Sequence, residues 1–263
     1  MIKLIATDMD GTLLNENGQL PKEFFDTLNK LIKKNVKFVV ASGRSYVNLK
    51  ETFKEMKDKL YYICDNGAFV VEDNEISSVE IIDKEEVNNI IKVCSDIKDI
   101  QIVLCGKKGA YQTECSDEFN KEIDKYYNKK YIVEDLCDVD DDIFKIAICD
   151  LGNSAKNSYK VLEPIFGHDL SVVVSGTVWL DIMNQNINKG NALEKIQNDF
   201  NISRDETMVF GDFYNDVEML KKAQYSFVME NANEDMKQYG NFIAKSNIEN
   251  GVIEAIKEYV LNE

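Results

Sequence analysis

The chain has 263 residues, 44% of them hydrophobic, and a formal net charge of −16 at pH 7. Length and hydrophobic fraction together predict a folded protein of one or two domains and exclude wholesale disorder. The excess of negative charge, with only two arginines in the chain, disfavours nucleic acid and anionic membrane surfaces as partners, and leaves the oligomeric state undefined.

The first 82 residues alternate between apolar runs and helical spacings, which is typical of a parallel α/β sheet. The elements predicted there are a strand over 2–7, a helix from Pro21 to Ile32, a strand over 36–41, a helix over 45–57, a strand over 61–64, a turn at Asp65-Asn66-Gly67 and a hairpin over 69–82.

The pattern changes between residues 83 and 185, where we predict an α+β insert whose strands pair antiparallel. Its predicted elements are a helix over 84–95, strands over 100–105 and 110–114, a helix over 116–127, an acidic loop over 138–142, a strand over 144–150, a helix over 154–165 and strands over 169–175 and 177–183.

The α/β pattern then returns. The elements predicted in this last part are a helix over 188–200, a strand over 207–210, a helix over 214–222, a strand over 225–229 and a helix near 248–260. One α/β core over 1–82 and 186–263, interrupted by a second domain over 83–185, accounts for both changes.

The single histidine and the unpaired cysteines limit the possible chemistry. His168 is the only histidine, which excludes zinc motifs built on two histidines. The six cysteines form no C-x-x-C pair, so we expect reduced thiols. Without a signal-peptide pattern, or an apolar stretch near the ~18 residues of a membrane span, the expected location is cytoplasmic.

Two carboxylates follow the first predicted strand. Asp8 and Asp10 stand at its carboxyl end, where open α/β sheets bind ligands. Two carboxylates in one tight loop, which Gly11 helps to form, can act as nucleophile and proton shuttle. Because D-x-D is a common pattern, ordinary loop aspartates are the alternative interpretation.

Possible anion-binding groups occur at two other positions. Ser42-Gly43 ends the second strand, where its hydroxyl and amides can meet an anion or simply cap a helix. The neighbouring Arg44 can offer a bidentate contact to phosphate. Lys189 opens the first helix after the insert, where a cation can face the same crevice, although a surface lysine is the alternative.

Two more carboxylates follow the predicted strand over 207–210. Asp212 and Asp216 lie in the segment Gly211-Asp212-Phe213-Tyr214-Asn215-Asp216, with no histidine or cysteine nearby. Oxygen donors alone indicate a hard cation such as Mg²⁺. Four such segments, three at strand ends and one at a helix start, predict a single crevice in the core.

Taken together, these segments resemble the haloacid dehalogenase superfamily, and within it the Cof-type phosphatases with a C2B cap. The matching segments are Asp8-Met9-Asp10-Gly11-Thr12, Ser42, Asp65-Asn66-Gly67-Ala68, Leu180-Asp181-Ile182, Lys189-Gly190, Gly211-Asp212, Asn215-Asp216, and Met229 with Asn231 and Ala232. The resemblance implies a Rossmann-like parallel-sheet core with an inserted α+β cap of the C2B type.

The resemblance also implies an activity, namely Mg²⁺-dependent hydrolysis of small phosphorylated metabolites, such as sugar phosphates, through an aspartyl-phosphate. Asp8 would be the nucleophile and Asp10 the acid and base. Asp8, the Asp10 carbonyl and Asp212 would hold Mg²⁺, with Asp216 in support. The substrate and its phosphate would be bound by Met9, Ser42, Gly43, Arg44, Lys189 and Asn215.

The chain departs from the family pattern in two places. Phe213 stands where a small or polar residue is usual, which predicts a narrower or more apolar pocket beside Asp212. Asn184 and Asn186 replace the usual proline and glycine before Lys189, and asparagine tolerates the left-handed backbone that this turn needs. A sugar phosphomutase and a regulator that binds a phosphorylated metabolite without turnover are the alternative functions.

Overall fold

A computed structural model describes residues 1–127 and 130–262 of the chain. The chain forms two compact units, one of Met1–Ser78 with Asn188–Glu263 and one of Val79–Ile187. They are called the core unit and the inserted unit below. The inserted unit begins and ends a few residues outside the predicted limits of 83 and 185.

The secondary structure alternates as the sequence patterns indicate. In chain order the strands are β1 (Leu4–Thr7), β2 (Lys37–Ala41), β3 (Tyr61–Cys64), β4 (Phe69–Glu72), β5 (Glu75–Val79), β6 (Ile100–Gly106), β7 (Ala110–Gln112), β8 (Lys130–Ile132), β9 (Ile143–Asp150), β10 (Leu170–Gly176), β11 (Trp179–Asn184), β12 (Thr207–Gly211), β13 (Tyr225–Met229) and β14 (Phe242–Ala244). The α-helices are α1 (Phe24–Lys33), α2 (Tyr46–Thr52), α3 (Lys84–Cys94), α4 (Asp117–Ile123), α5 (Ser158–Phe166), α6 (Lys189–Asp199), α7 (Val217–Lys221) and α8 (Gly251–Ile256).

The core unit is built on an eight-stranded sheet in the order β14-β13-β12-β1-β2-β3-β4-β5. From β14 to β3 in that order the strands run parallel, and β4 runs antiparallel to β3. The chain passes from β1 to β2 on one side and reaches β12 on the other. The carboxyl ends of β1, β2 and β12 therefore meet where the strand order reverses, which is the ligand-binding position of open α/β sheets.

Apolar side chains cover both faces of this sheet, which is why its central strands read as continuous hydrophobic runs. Every residue of β1 is buried. On one face, Leu4 of β1 and Leu193 of α6 belong to one buried apolar cluster. Phe24 of α1 packs edge-on against Phe38 of β2, with ring centroids 5.6 Å apart. Helix packing on the sheet thus fixes the strand ends that carry the polar loops.

The inserted unit contains a six-stranded sheet in the order β10-β11-β9-β6-β7-β8. Pairing is antiparallel from β10 to β7, but β7 and β8 run parallel. The strands that were predicted in the insert therefore pair antiparallel, as expected. The parallel pair involves the three-residue β8, which was not predicted, since so short a segment shows no readable period.

The predicted fold class, a parallel α/β core interrupted by an α+β insert, is confirmed. Strand β14, with three residues at the edge of the core sheet, was likewise too short to be predicted. Asn186 takes a φ of 66°, as expected for asparagine in the turn before Lys189. None of the helices among the described residues combines the length and the hydropathy that a membrane span requires.

Candidate active site

The loop that carries Asp8, at the end of β1, packs against Asp212. The Asp8 backbone N–H donates to the Phe210 carbonyl at 3.0 Å, which continues the pairing of β1 with β12. Gly11 has a φ of 81°, and a Cβ there would lie 2.9 Å from Asp212 Cγ. The Thr12 hydroxyl donates to Asp212 Oδ1 at 2.8 Å. Only glycine at position 11 allows this close approach of the two loops.

Lys189 stands at the first position of α6 with its side chain completely buried. Its ammonium lies 2.5 Å from Asp8 Oδ1 and 2.7 Å from Asp216 Oδ1. The side chain of Asn188 caps the helix by accepting the Asn191 backbone N–H at 2.8 Å. The structure therefore brings the predicted cation into direct contact with the predicted nucleophile.

Asp216 fixes the loop after β12. Its Oδ1 accepts from Lys189, and its Oδ2 accepts the backbone N–H groups of Asp212 and Phe213 at 3.0 and 3.2 Å. The side chain is fully buried. Because both oxygens already accept hydrogen bonds, Asp216 orients Asp212 and Lys189, which is consistent with the supporting place predicted for it.

Burial of several carboxylates together shifts their proton affinities. Desolvation raises the pKa of Asp8 to about 8, against the opposing effect of Lys189 and with a further increase from Asp216. Desolvation also raises the pKa of Asp212 to about 6, with the hydrogen bond from Thr12 opposing the increase. Burial alone would lower the pKa of Lys189, but Asp216 and Asp8 raise it on balance.

Three buried or half-buried carboxylates lie close enough together to hold one hard cation. One oxygen from each of Asp8, Asp212 and Asp216 lies within 4.8 Å of the others. All the donors in this group are carboxylate oxygens, the ligands that hard cations prefer. The residues present therefore fit a divalent cation such as Mg²⁺.

Asp10 lies outside this carboxylate cluster and is bound by Arg44. Its side chain is 60% exposed, and its two oxygens accept from Arg44 Nη2 at 2.6 Å and Nε at 3.0 Å. Two of the nitrogens that were expected to contact phosphate are thus engaged with a carboxylate. The Asp10 carbonyl as a metal ligand and the role of Arg44 toward phosphate both stay predictions.

The remaining predicted phosphate ligands lie at neighbouring strand ends. Ser42 is buried after β2, and its Oγ accepts the Arg44 backbone N–H at 3.1 Å. Met9 has a fully buried side chain, so only its backbone is available to a substrate. Asn215 donates from Nδ2 to Asn66 Oδ1 at 3.1 Å. Core loops thus bring together the four predicted segments.

The unusual Phe213 does not lie in the interior. Its side chain is 54% exposed, and its ring packs edge-on against Tyr214 with centroids 5.1 Å apart. The backbone N–H of Phe213 is held by Asp216, as described above. The apolar ring is therefore presented at the surface of a loop whose main chain is fixed.

Sequence reasoning gave no role to three residues that organise these loops. They are Thr12, which holds Asp212; Asn66, which accepts from Asn215; and Asn231, whose Nδ2 donates to the Gly11 carbonyl at 2.8 Å. Each lies in a segment that matched the family pattern, but the pattern alone does not show which partner a side chain contacts.

Comparison with known proteins identifies the family. A family model described as haloacid dehalogenase-like hydrolase matches residues 5–256. The chain is 30% identical over 264 residues to 5-amino-6-(5-phospho-D-ribitylamino)uracil phosphatase YbjI of Escherichia coli K12, which covers 100% of this chain and 97% of that protein. It is 25% identical over 262 residues to Bacillus subtilis YcsE, named for the same phosphatase activity, covering 99% and 96%.

Among solved structures, SMU.1108c from Streptococcus mutans UA159 has a TM-score of 0.88 and 30% identity, covering 99% of this chain and 100% of that one. The family match spans nearly the whole chain. The chain therefore belongs to the haloacid dehalogenase-like hydrolase family, as a phosphatase of the Cof type.

Proposed function

We propose that this phosphatase hydrolyses small phosphomonoesters with the help of Mg²⁺ and through an aspartyl-phosphate on Asp8. The observation that carries the proposal is the buried contact between Asp8 and Lys189, with Asp212 and Asp216 beside it. A nucleophilic carboxylate, a permanent cation and two further carboxylates at one strand end suit phosphoryl transfer, which depends mainly on positioning and on neutralising spread negative charge.

The proposed metal ligands are the side chains of Asp8 and Asp212 and the Asp10 carbonyl, with Asp216 behind them. When bound, Mg²⁺ supplies positive charge that offsets the carboxylates and the phosphoryl oxygens. Desolvation places the pKa of Asp8 near 8 without the metal, and a nucleophile must be ionised to attack. Lys189 holds the reacting carboxylate in place and favours its ionised form.

In the first step an Asp8 oxygen forms a bond to phosphorus while the bond from phosphorus to the alcohol oxygen breaks. Asp10, as the acid, gives its proton to that alcohol oxygen. In the second step Asp10 takes a proton from water, the water oxygen bonds to phosphorus, and the bond to Asp8 breaks. The side chain of Asp10 is 60% exposed, and it can serve the leaving group and then a water molecule once its oxygens leave Arg44.

Ser42, the backbone of Met9 and Gly43, and Lys189 are the proposed contacts to the phosphoryl oxygens. Ser42 and Gly43 support this assignment because they follow β2, beside the strand that delivers Asp8. A hydroxyl and backbone N–H groups at such a strand end suit an anion. Arg44 joins them only if it leaves Asp10.

The proposed substrates are phosphate esters of sugars, sugar alcohols or similar small metabolites. The names of two relatives support this class, since both specify a phosphoribityl compound joined to a uracil ring. A substrate panel should therefore include 5-amino-6-(5-phospho-D-ribitylamino)uracil beside hexose and pentose phosphates. The small size of these compounds agrees with a strongly acidic chain that disfavours polyanionic partners.

The test is release of inorganic phosphate from this panel by the whole protein, with Mg²⁺ and with a chelator. We expect release with Mg²⁺, loss of release with the chelator, and loss in Asp8→Asn. Asp26→Asn, on the exposed face of α1, is the matched control and should retain full activity. Isomerised sugar phosphate without free phosphate would indicate a mutase, and tight binding without turnover would indicate a regulator; either result contradicts the proposal.

A cytoplasmic location is also proposed, and it is supported by the cysteines. None of the six is in a disulfide, and Cys64, Cys94, Cys105 and Cys149 are buried. Desolvation raises the pKa of Cys94 to about 12, so this thiol stays protonated and unreactive. Several cysteines that form no disulfide are typical of a reducing compartment.

A further inference from the structure

We propose that Asn66 binds the phosphoryl group through its side-chain amide, and that Asn215 is a positioning residue that turns this amide toward the ligand. The proposal rests on the proposed phosphatase function and adds to it a binding residue. It stands on two observations, namely the locked backbone of the loop that carries Asn66 and the hydrogen bond that commits the acceptor end of its amide.

The loop between β3 and β4 holds Asn66 in a fixed left-handed conformation. Asp65, Asn66 and Gly67 have successive φ values of 48°, 57° and 111°. The Asn66 backbone N–H donates to the Ser42 carbonyl at 3.0 Å. A Cβ on Gly67 would lie 2.5 Å from the Asn188 carbonyl oxygen, so the loop is packed between the end of β2 and the start of α6. A backbone fixed on both sides leaves the side chain of Asn66 little freedom.

The hydrogen bond from Asn215 sets the direction of the Asn66 amide. Asn215 Nδ2 donates to Asn66 Oδ1 at 3.1 Å, which commits the acceptor end of the amide. The other end of the amide, Nδ2, carries the two donors, and the amide lies beside Gly43, where an added Cβ would stand 3.3 Å from Nδ2 and 3.4 Å from Oδ1. Within the described part of the chain, no acceptor takes either hydrogen of this Nδ2 group. Two N–H donors are therefore presented beside Ser42 and Gly43.

The surrounding charges indicate what these donors would bind. The Lys189 ammonium is engaged with Asp8 and Asp216, and the Arg44 guanidinium binds Asp10. A phosphoryl group carries only acceptor oxygens at its surface, so it needs donors that are not already committed to carboxylates. The Asn66 amide supplies such donors without adding a charge. Its position beside Ser42-Gly43 places it with the proposed phosphate contacts.

Two variants of Asn66 test the binding role, with the affinity of the Mg²⁺-loaded protein for inorganic phosphate as the measurement. Asn66→Gly removes the amide and accepts a positive φ without strain. Asn66→Asp keeps the acceptor for Asn215 but replaces the donor by an anionic oxygen. We expect phosphate affinity to fall about 10-fold in Asn66→Gly and further in Asn66→Asp, because a hydrogen bond to an ionised group is lost.

The positioning role of Asn215 is tested by a double-mutant cycle. Asn215→Ala removes the donor to Asn66 Oδ1 without adding a charge beside the ligand, so the amide of Asn66 loses the contact that sets its direction. We expect phosphate affinity to fall in Asn215→Ala, but no further than in Asn66→Gly. The double variant Asn66→Gly with Asn215→Ala should lose little more than Asn66→Gly alone, since the two residues act through one amide.

Unchanged phosphate affinity in Asn66→Gly would overturn the proposal, and losses that simply add in the double variant would overturn the role of Asn215. Melting temperatures of all variants with Mg²⁺ should stay close to the parent value. If Asn66→Asp does not fold, Asn66→Gly alone still tests the binding role of Asn66. A failure of the proposed function gives a different result, since the parent protein would then release no phosphate from any ester.

Discussion

The Lys189 ammonium donates to Asp8 Oδ1 across 2.5 Å while both side chains are buried. One strand end and one helix start, which are 181 residues apart in the sequence, therefore meet in a single ion pair. Asp216 accepts from the same ammonium and holds the loop of Asp212. Stability and chemistry of the core unit thus depend on the same few charges.

Removing the ammonium should cost both stability and activity. Lys189→Met leaves two buried carboxylates without their partner, so we expect the free energy of unfolding near neutral pH to fall by about 3–5 kcal/mol. Phosphate release should be lost as well. Lys222→Met is the matched control, because Lys222 pairs with Glu194 at the surface at 2.8 Å and should cost at most about 1 kcal/mol. Equal losses in the two variants, measured by urea unfolding, would contradict this prediction.

Neutralising Asp8 should stabilise the protein while it abolishes activity. The pKa of Asp8 is raised from 3.8 to about 8 on folding, so its ionised form is unfavourable in the metal-free fold. Asp8→Asn removes this cost. At about pH 8 without metal, we expect the melting temperature to rise by about 2 °C or more, the shift that about 1 kcal/mol produces in a domain of this size. A lower melting temperature would contradict the burial argument.

Metal binding should depend on pH in a defined direction. Asp8 and Asp212 hold protons more tightly in the folded state, with pKa values of about 8 and about 6 against 3.8. Protonation of these two carboxylates stabilises the metal-free fold. This stabilisation is complete below pH 3.8 and is lost as the pH rises toward 8. Because Mg²⁺ competes with these protons, the increase in melting temperature caused by Mg²⁺ should grow between about pH 5 and 8.

The control for this pH dependence is Asp212→Asn, which removes one of the two competing protons and should weaken Mg²⁺ binding. The parent protein should also release protons when Mg²⁺ is added at about pH 6, which calorimetry in two buffers of different ionisation heat can measure. A Mg²⁺ effect that is equal at all these pH values would show that the two carboxylates are not the ligands.

Adding a methyl group at Gly11 should lower kcat by far more than the accompanying loss of stability would explain. Gly11→Ala adds a Cβ 2.9 Å from Asp212 Cγ and strains a positive φ, so we expect kcat to fall by about 100-fold as the loops separate. Gly18→Ala is the matched control, because Gly18 has a φ of 70° with no atom within 4 Å of the added Cβ. It should cost about 1–2 kcal/mol of stability and leave kcat unchanged.

The main elements of the site could be predicted because the residue pattern shows where the core strands end. Asp8, Ser42 and Asp212 follow apolar runs that alternate with helical spacings, and parallel strands bring their carboxyl ends to one edge. Lys189 was assigned to the crevice from its place at a helix start and from the family resemblance. Its complete burial between two carboxylates could not be predicted, since burial depends on how α6 packs against the sheet.

Other contacts, and two short strands, could not be predicted from sequence patterns. Neither spacing nor residue type indicates that Arg44 binds both oxygens of Asp10, because a guanidinium near an expected phosphate site is equally suited to the ligand. Asp216 accepts hydrogen bonds from two backbone N–H groups, and these bonds depend on the exact turn of its loop. The short strands β8 and β14 depend on neighbouring strands for their formation rather than on a local pattern.

The most direct test of the central claim is a rapid-mixing measurement of p-nitrophenolate release from p-nitrophenyl phosphate by the Mg²⁺-loaded Asp10→Asn variant. This leaving group needs no acid, whereas hydrolysis of an aspartyl-phosphate needs Asp10 as base. We predict a burst of about one equivalent per active site followed by slow turnover. The burst should disappear in Asp8→Asn with Asp10→Asn, and a burst that persists without Asp8 would contradict the account.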